Sequence, residues 1–373
     1  MHRRTAIALG LTATTAPFVD TARASAHGTD EDEHGRRRHR LAVIAHRGAW
    51  GYRPEHTVAA YQLAFRFGAD VVKPDVVVTK DGVLVDRNSP DLTVATDVSK
   101  HPEFAARKTT KMLDGVATTG WFVEDFTLAE IKTLRATERM PDLRPGNTAF
   151  DGRFPILTIQ EVIDLARAES RRRGRRVGIA PDVKRPTYYR AMGVPLEELF
   201  VRLLRRNGLT DEDADVAVLP QSFEPSCLQR LNRMVDLPLI QLLDAAGKPY
   251  DFVVAGDPRG YRDLVTPEGL RWVRRYADVV SVNKDLIIPR DATAHLTTPT
   301  TLVGDAHRTG LKVHAWRFCN ENTFLPADFR IGTDPKVHGD FIAEYRRFYA
   351  QGIDGVVSDF PDAALTARAA AHL

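Results

Sequence analysis

Short runs rich in valine, isoleucine and leucine recur along this chain, separated by stretches in which apolar residues return every third or fourth position. The runs are LAVIAH at 41 to 46, DVVKPDVVV at 70 to 78, RVGIAPD at 176 to 182, DVAVLPQS at 215 to 222, LPLIQLL at 237 to 243, ADVVSVN at 277 to 283, LKVHAW at 311 to 316 and IDGVVSD at 353 to 359. Near-continuous apolar character over so few residues is what strands buried on both faces require. Between them, TVAAYQLAFRFG and TIQEVIDLARAESRRRG carry apolar residues at helical spacing and stop at Gly68 and Gly174. Eight strands alternating with helices predict an α/β fold, a closed (β/α)8 TIM barrel. From about residue 90 to 155 no such run occurs, and TLAEIKTLRATERM reads as helical. That stretch is expected to be a small inserted subdomain above the barrel mouth, leaving residues 41 to 373 as one barrel domain.

The N-terminus has a different pattern. Arg3 and Arg4 precede an uncharged, mildly apolar stretch to Val19, and Ala22-Arg23-Ala24-Ser25-Ala26 supplies small residues in the A-x-A arrangement. This predicts an export signal over residues 1 to 26, of twin-arginine type by its arginine pair, and an exported, secreted or periplasmic mature protein. Residues 27 to 40 hold an acidic block and then a basic one, as a charged linker would. No other segment has the length of apolar sequence that a membrane span needs.

Composition narrows the chemistry. Fifty-two basic residues against 49 acidic give a net charge of +3, too even to imply a nucleic-acid partner. Loss of residues 1 to 26 would remove three arginines and one aspartate and leave +1. Two cysteines, Cys227 and Cys319, are too few for a zinc cluster or a disulfide framework, so any metal must be held by oxygen and imidazole.

Barrel enzymes place their chemistry at the C-terminal ends of the strands, which makes the polar residues there the candidates. His46 and Arg47 leave the first strand together, with Glu55 nine residues beyond His46. An imidazole that moves a proton beside a guanidinium that grips two oxygens suits a phosphate-bearing substrate. Lys73 and Asp75, two apart on the second strand, face the same side, and Asp182 and Lys184 repeat that spacing on the third. Gln221 ends the fourth strand and Trp316 the seventh; both are candidates to reach a substrate.

The segment AHRGAWGYRPEHTVAAYQLAFRFGADVVKPDVVVTKDGVLV resembles the N-terminal signature of glycerophosphodiester phosphodiesterases. The resemblance continues through DGRFPILTIQEV, GIAPDVKRPTYY, VLPQSFEPSCLQRL, VHAWRFCNENTFLP and GIDGVVSDFPDAAL, from about Ala42 to Asp362. It implies a TIM barrel with an insertion and a calcium or magnesium ion. It also implies hydrolysis of a small-molecule glycerophosphodiester to glycerol 3-phosphate and an alcohol. In that reaction the glycerol hydroxyl attacks phosphorus, and water then opens the cyclic phosphate. By the same resemblance His46 matches the first of two catalytic histidines, Arg47 the phosphate arginine, Glu55 the glutamate of a PEN-like motif and Asp75 a metal ligand.

Other positions depart from the family pattern. Lys73 stands where the family has a metal-ligand glutamate, Asn88 where it has the second catalytic histidine, and Ser89 where an acid follows it. Asp182 is a shortened third carboxylate, and Arg317-Phe318-Cys319 replaces a TxR pattern. An ammonium among the ligands repels a divalent cation, so a metal site built of Asp75, Asp182 and Glu55 is expected to be weak. Asn88 exchanges no proton near neutral pH. The expectation is an impaired phosphodiester hydrolase with His46, Arg47 and Asn88 at its centre and Arg47, Lys184, Gln221 and Trp316 against substrate. The alternatives are a catalytically silent glycerophosphate-binding protein and, third, a phospholipase D-like enzyme.

Overall fold

A computed structural model describes residues 29–31, 37–39 and 40–372, with side chains from residue 40 onward. The expected export signal lies outside the described residues. Within the expected linker, Thr29–Glu31 pairs antiparallel with Arg37–His39, which sets the acidic block in register with the basic one.

The eight apolar runs form eight parallel strands: Ala42–His46; Val71–Lys73 with Asp75–Val78; Gly178–Ile179 with Asp182–Val183; Ala217–Val218 with Gln221–Ser222; Ile240–Leu243; Val279–Asn283; Lys312–Phe318; and Gly355–Ser358. Each pairs with the next, and the eighth closes on the first through Gly355↔Ala42 to Ser358↔Ala45. Strands two, three and four are each interrupted once because Pro74, Pro181 and Pro220 lack an N–H. Their carbonyls still accept from Asp182, Gln221 and Ile240, all at 2.9 Å, so the barrel wall continues through them.

One side chain from seven of the strands meets in the barrel centre: Ile44, Val71, Ala180, Leu219, Ile240, Val279 and Val357. Trp316 of the remaining strand packs against this plug from the mouth side. At about 1.5–3 kcal/mol for each large side chain, the plug fixes the floor on which the polar strand ends stand. The other face of each strand packs against helices whose ends follow from sequence. Thr57 caps Val58–Phe67 and Gly68, at φ 111°, ends it; Thr158 and Glu161 form a capping box at the start of Ile159–Arg173, which stops at Gly174.

The insertion departs from its sequence pattern. TLAEIKTLRATERM is helical only over Leu128–Ile131, because the following residues are drawn into bridges, Arg135 with Pro155 and Ala136 with Thr96. A hairpin, Thr109–Leu113 with Val116–Gly120, projects from it. A further short strand, Leu84–Asp86, runs antiparallel to Asp75–Val78 and delivers Asn88 to the mouth. Among the described residues no helix is long and apolar enough to cross a membrane.

Candidate active site

His46 is the last residue of the first strand and is buried. Its Nδ1 lies 2.7 Å from Oδ1 of Asp359, which follows the eighth strand. Burial, and then the neighbouring Arg47, lower the imidazole pKa to about 3, so the ring is neutral at pH 7. A neutral ring facing a carboxylate carries its proton on Nδ1, which leaves the Nε2 lone pair free to accept one. Burial pushes Asp359 upward, but Arg317, Arg144 and His46 outweigh it and hold the carboxyl well below the usual range. Arg144, from the insertion, reaches Asp359 at 2.8 Å and Glu321 at 2.6 Å.

Arg47 stands in the left-handed region at φ 56°. Its Nη1 donates to Glu55 at 2.5 Å, its Nη2 donates to Asn88 Oδ1 at 2.6 Å, and its Nε is 3.5 Å from Asp75. Glu55 also accepts from Arg139 at 2.7 Å. Burial raises the Glu55 pKa, but Arg47 and Arg139 outweigh it and keep the carboxylate ionised. The arginine expected to grip phosphate is therefore directed at protein acceptors. Glu55, expected as a weak metal ligand, is engaged by two guanidinium groups, because 84 residues on the insertion supplies Arg139 beside Arg47.

Lys73 Nζ bridges Asp75 Oδ1 at 2.8 Å and Asp182 Oδ2 at 2.9 Å, the two aspartates being register partners on adjacent strands. Lys184 adds a contact to Asp182 at 3.1 Å. Burial lowers the Lys73 pKa, yet the two carboxylates more than restore it, so the amine stays charged. His56, at φ 58°, closes the group from behind, 3.2 Å from Asp75 and 2.7 Å from Asp86. Burial opposes its protonation, but Asp86 and Asp75 raise its pKa. Asp75 Oδ2 faces His56 Nε2 at 3.2 Å and Arg47 Nε at 3.5 Å, and Asp182 Oδ1 is buried without a hydrogen bond. The place between the two carboxylates where a cation would sit is taken by the ammonium. Among the described residues no group of three or more His, Cys, Asp or Glu is arranged to hold a metal. The residues present do not fit a divalent cation, which needs six or more oxygen ligands and no cation at 3 Å from its carboxylates.

These groups open onto a cavity of about 270 Å³, lined by His46, Arg47, Lys73, Asn88, Lys184, Asp244, Trp316 and Arg317 among others. An adjoining outer chamber of about 370 Å³ shares Asn88, Asp182, Lys184, Phe223 and Asp244 with it. Trp316 and Phe223 meet edge to face and form the apolar wall of the inner cavity. Gln221 lines neither: it is buried in the barrel wall and donates to the Ala180 carbonyl at 2.6 Å.

Several residues of this site escape sequence reasoning. Asp359 and Asp244 end the eighth and fifth strands, and the rule that barrel chemistry sits at strand ends would have singled them out. His56, beside Glu55 in RPEHT, gave no signal because its partner Asp86 lies on an unforeseen strand. Arg317 registers in the sequence only as a departure. In the structure its guanidinium lies over Trp50 and Phe324, as those of Arg47 and Arg144 lie over Trp50, and its contact with Asp359 is long, 3.9 Å. It is the guanidinium of the inner cavity that protein acceptors engage least.

Comparison with known proteins agrees with the barrel fold. The model of the glycerophosphoryl diester phosphodiesterase family matches residues 46–363. A glycerophosphodiester phosphodiesterase of Arabidopsis thaliana is 34% identical over 327 residues, covering 85% of this chain and 83% of the plant protein. One from Haemophilus influenzae is 30% identical over 347 residues, covering 86% and 87%. A Silicibacter pomeroyi structure assigned to the same family superposes with a TM-score of 0.61 at 20% identity, covering 89% of this chain and 94% of that one. An Oleispira antarctica phosphodiesterase, solved with the product sn-glycerol-3-phosphate, gives 0.54 at 19% identity over 87% and 96%. With the barrel, the order of its motifs and these relatives in agreement, the chain belongs to the glycerophosphoryl diester phosphodiesterase family.

Proposed function

We propose that this chain is a slow, metal-independent glycerophosphodiester hydrolase in which His46 is the one proton carrier and Arg317 with Lys184 holds the phosphodiester. The observation that carries the reading is a neutral imidazole, oriented by Asp359, at the edge of a cavity that also presents those two cations. The family generally depends on a divalent cation. In this chain the Lys73 ammonium supplies part of that positive charge, and no step passes through a metal.

The chemistry follows from the groups present. Arg317 and Lys184 draw the anionic diester into the cavity, with Trp316 and Phe223 as its apolar wall. The bound anion raises the His46 pKa from its unliganded value, since an opposite charge favours the imidazolium. Nε2 then takes the proton of the attacking glycerol hydroxyl as a cyclic phosphate forms and the phosphorus–oxygen bond to the alcohol breaks. The leaving oxygen takes its proton from water, and the hydroxide so formed opens the ring while the imidazolium returns its proton to the glycerol oxygen. In-line displacement puts the entering and leaving oxygens on opposite sides of phosphorus, and a single imidazole reaches only one of them. Asn88 cannot protonate the other, which removes a general-acid contribution of about 10² to 10⁴. Turnover is therefore slow.

Incubation with glycerophosphocholine, with and without calcium, tests this by quantifying released choline and glycerol 3-phosphate. Slow, calcium-indifferent release that disappears in His46→Asn is expected; brisk calcium-stimulated turnover would overturn the reading. A second reading, a silent glycerophosphate binder, is favoured by the Lys73 bridge, and saturable glycerol 3-phosphate binding with no product release would select it.

A further inference from the structure

Trp50 is one of the largest buried side chains, 1% exposed, yet it belongs to neither the central plug nor the apolar layer around the strands. Its surroundings are charged. The guanidinium carbons of Arg144, Arg47 and Arg317 lie 4.7, 4.8 and 5.3 Å from the centre of its ring, and the His46 ring is 5.7 Å away. A tryptophan that only fills a core meets apolar side chains, whereas three cations on one indole answer to the negative face of the ring. The insertion sets the pose of that indole. Its Nε1 donates to Glu138 Oε1 at 3.3 Å, and Asn147 donates to the Trp50 carbonyl at 3.0 Å and to Glu138 Oε2 at 2.9 Å.

The three guanidinium groups are not held alike. Arg47 directs its donors to Glu55 and Asn88, and Arg144 directs its own to Glu321 and Asp359. Among the described residues no hydrogen bond engages Arg317, and its contact with Asp359 is 3.9 Å long; it rests on Trp50 and, at 5.1 Å, on Phe324. The Phe324 carbonyl in turn accepts from Lys284 at 3.3 Å and from Arg290 at 3.2 Å. Carboxylates hold a guanidinium by its N–H groups, whereas a ring holds it by its flat face and leaves those groups free for a ligand. Arg317 lines the inner cavity with its donors so preserved. We infer that Trp50 is a positioning residue, which together with Phe324 fixes the Arg317 guanidinium at the inner cavity and leaves its N–H groups available to grip the phosphodiester. This rests on the reading of Arg317 as the phosphate-holding group. Glu138 and Asn147 then act on phosphate binding through the indole they orient.

The test is calorimetric titration with glycerol 3-phosphate of the parent, Trp50→Leu, Trp50→Phe and Phe324→Leu, each also combined with Arg317→Gln. Trp50→Leu should weaken binding about 10-fold, the scale of a desolvated cation–π contact. Trp50→Phe keeps an aromatic face without the indole N–H and should restore most of that loss. In the Arg317→Gln background the same substitutions should change affinity less than about twofold, because the group they position is gone. Phe324→Leu, at a half-buried position, gives an independent reading if Trp50→Leu does not fold: a loss of about 5-fold alone and almost none combined with Arg317→Gln. A cost that is equal with and without Arg317→Gln, or equal for leucine and phenylalanine at position 50, marks Trp50 as packing alone and overturns the inference. Arg317→Gln by itself separates the two readings. If it leaves glycerol 3-phosphate binding unchanged, the phosphate reading on which the inference rests is refuted. If it weakens binding and neither Trp50→Leu nor Phe324→Leu does, the inference falls and the phosphate reading stands.

Discussion

Replacing Lys73 by glutamate converts the bridge between Asp75 and Asp182 into a third carboxylate, and its cost can be worked from the contacts. The two aspartate oxygens share one ammonium at 2.8 and 2.9 Å, so they stand no further apart than those two contacts laid end to end. At that separation, and at the effective dielectric constant of about 20 that suits such sites, the repulsion is about 3 kcal/mol. Loss of one partner from a buried ion pair costs about 3–5 kcal/mol on independent grounds. In metal-free buffer at pH 7, Lys73→Glu should therefore lower Tm by at least about 6 °C, taking about 2 °C per kcal/mol for a large domain. The loss should shrink as the pH falls, because protonation of the crowded carboxylates relieves the repulsion. Calcium should then restore what the lysine supplied, with about 4 kcal/mol recovered at a concentration 1,000-fold above Kd. Differential scanning fluorimetry of parent and variant, each with chelator and with millimolar calcium, measures both effects. A variant as stable as the parent in chelator, or a parent that gains as much from calcium as the variant, would refute the assignment of the ammonium to the cation position.

Three further outcomes follow. The double variant Lys73→Glu with Asn88→His should hydrolyse glycerophosphocholine in a calcium-dependent manner, at least about 10²-fold faster than the parent, since it regains both a proton carrier and a metal site; choline release measures this. Arg317→Gln should weaken glycerol 3-phosphate binding by about 10- to 100-fold, the worth of a charged hydrogen bond, whereas Arg47→Gln, whose donors already serve Glu55 and Asn88, should lower Tm more than affinity; titration calorimetry and thermal melts separate the two. The His46 pKa is depressed to about 3 in the folded chain from its ordinary 6.5, so below pH 6.5 the unfolded chain binds the extra proton. Its contribution to stability is complete above pH 6.5 and is lost as the pH falls toward 3, by at most about 1.4 kcal/mol per pH unit; denaturant unfolding should show a shallower pH dependence over this window in His46→Asn.

The local signals in the chain were strong because they are local. Eight apolar runs, glycine stops at 68 and 174 and threonine caps at 57 and 158 each act over one turn or one strand, so the barrel and the helices beside it follow from neighbouring residues. His46, Lys73, Asp75, Asp182, Lys184 and Trp316, all named from their placement at strand ends, line one cavity, since a parallel barrel puts every strand's last residue at one mouth. Gln221 obeys the same placement yet lies in the wall, where its side-chain amide donates to the Ala180 carbonyl at 2.6 Å.

What the tertiary structure alone decided is which charge faces which. Arg47 and Glu55 read as separate phosphate and metal candidates until the insertion brings Arg139 against Glu55. Asp359 became the partner of His46 across 313 residues, and Arg144 reached it across 215. Periodicity fixes the face on which a side chain stands. A buried charge, however, must be satisfied by whatever partner the folded chain brings within about 3 Å, and sequence separation does not encode that distance.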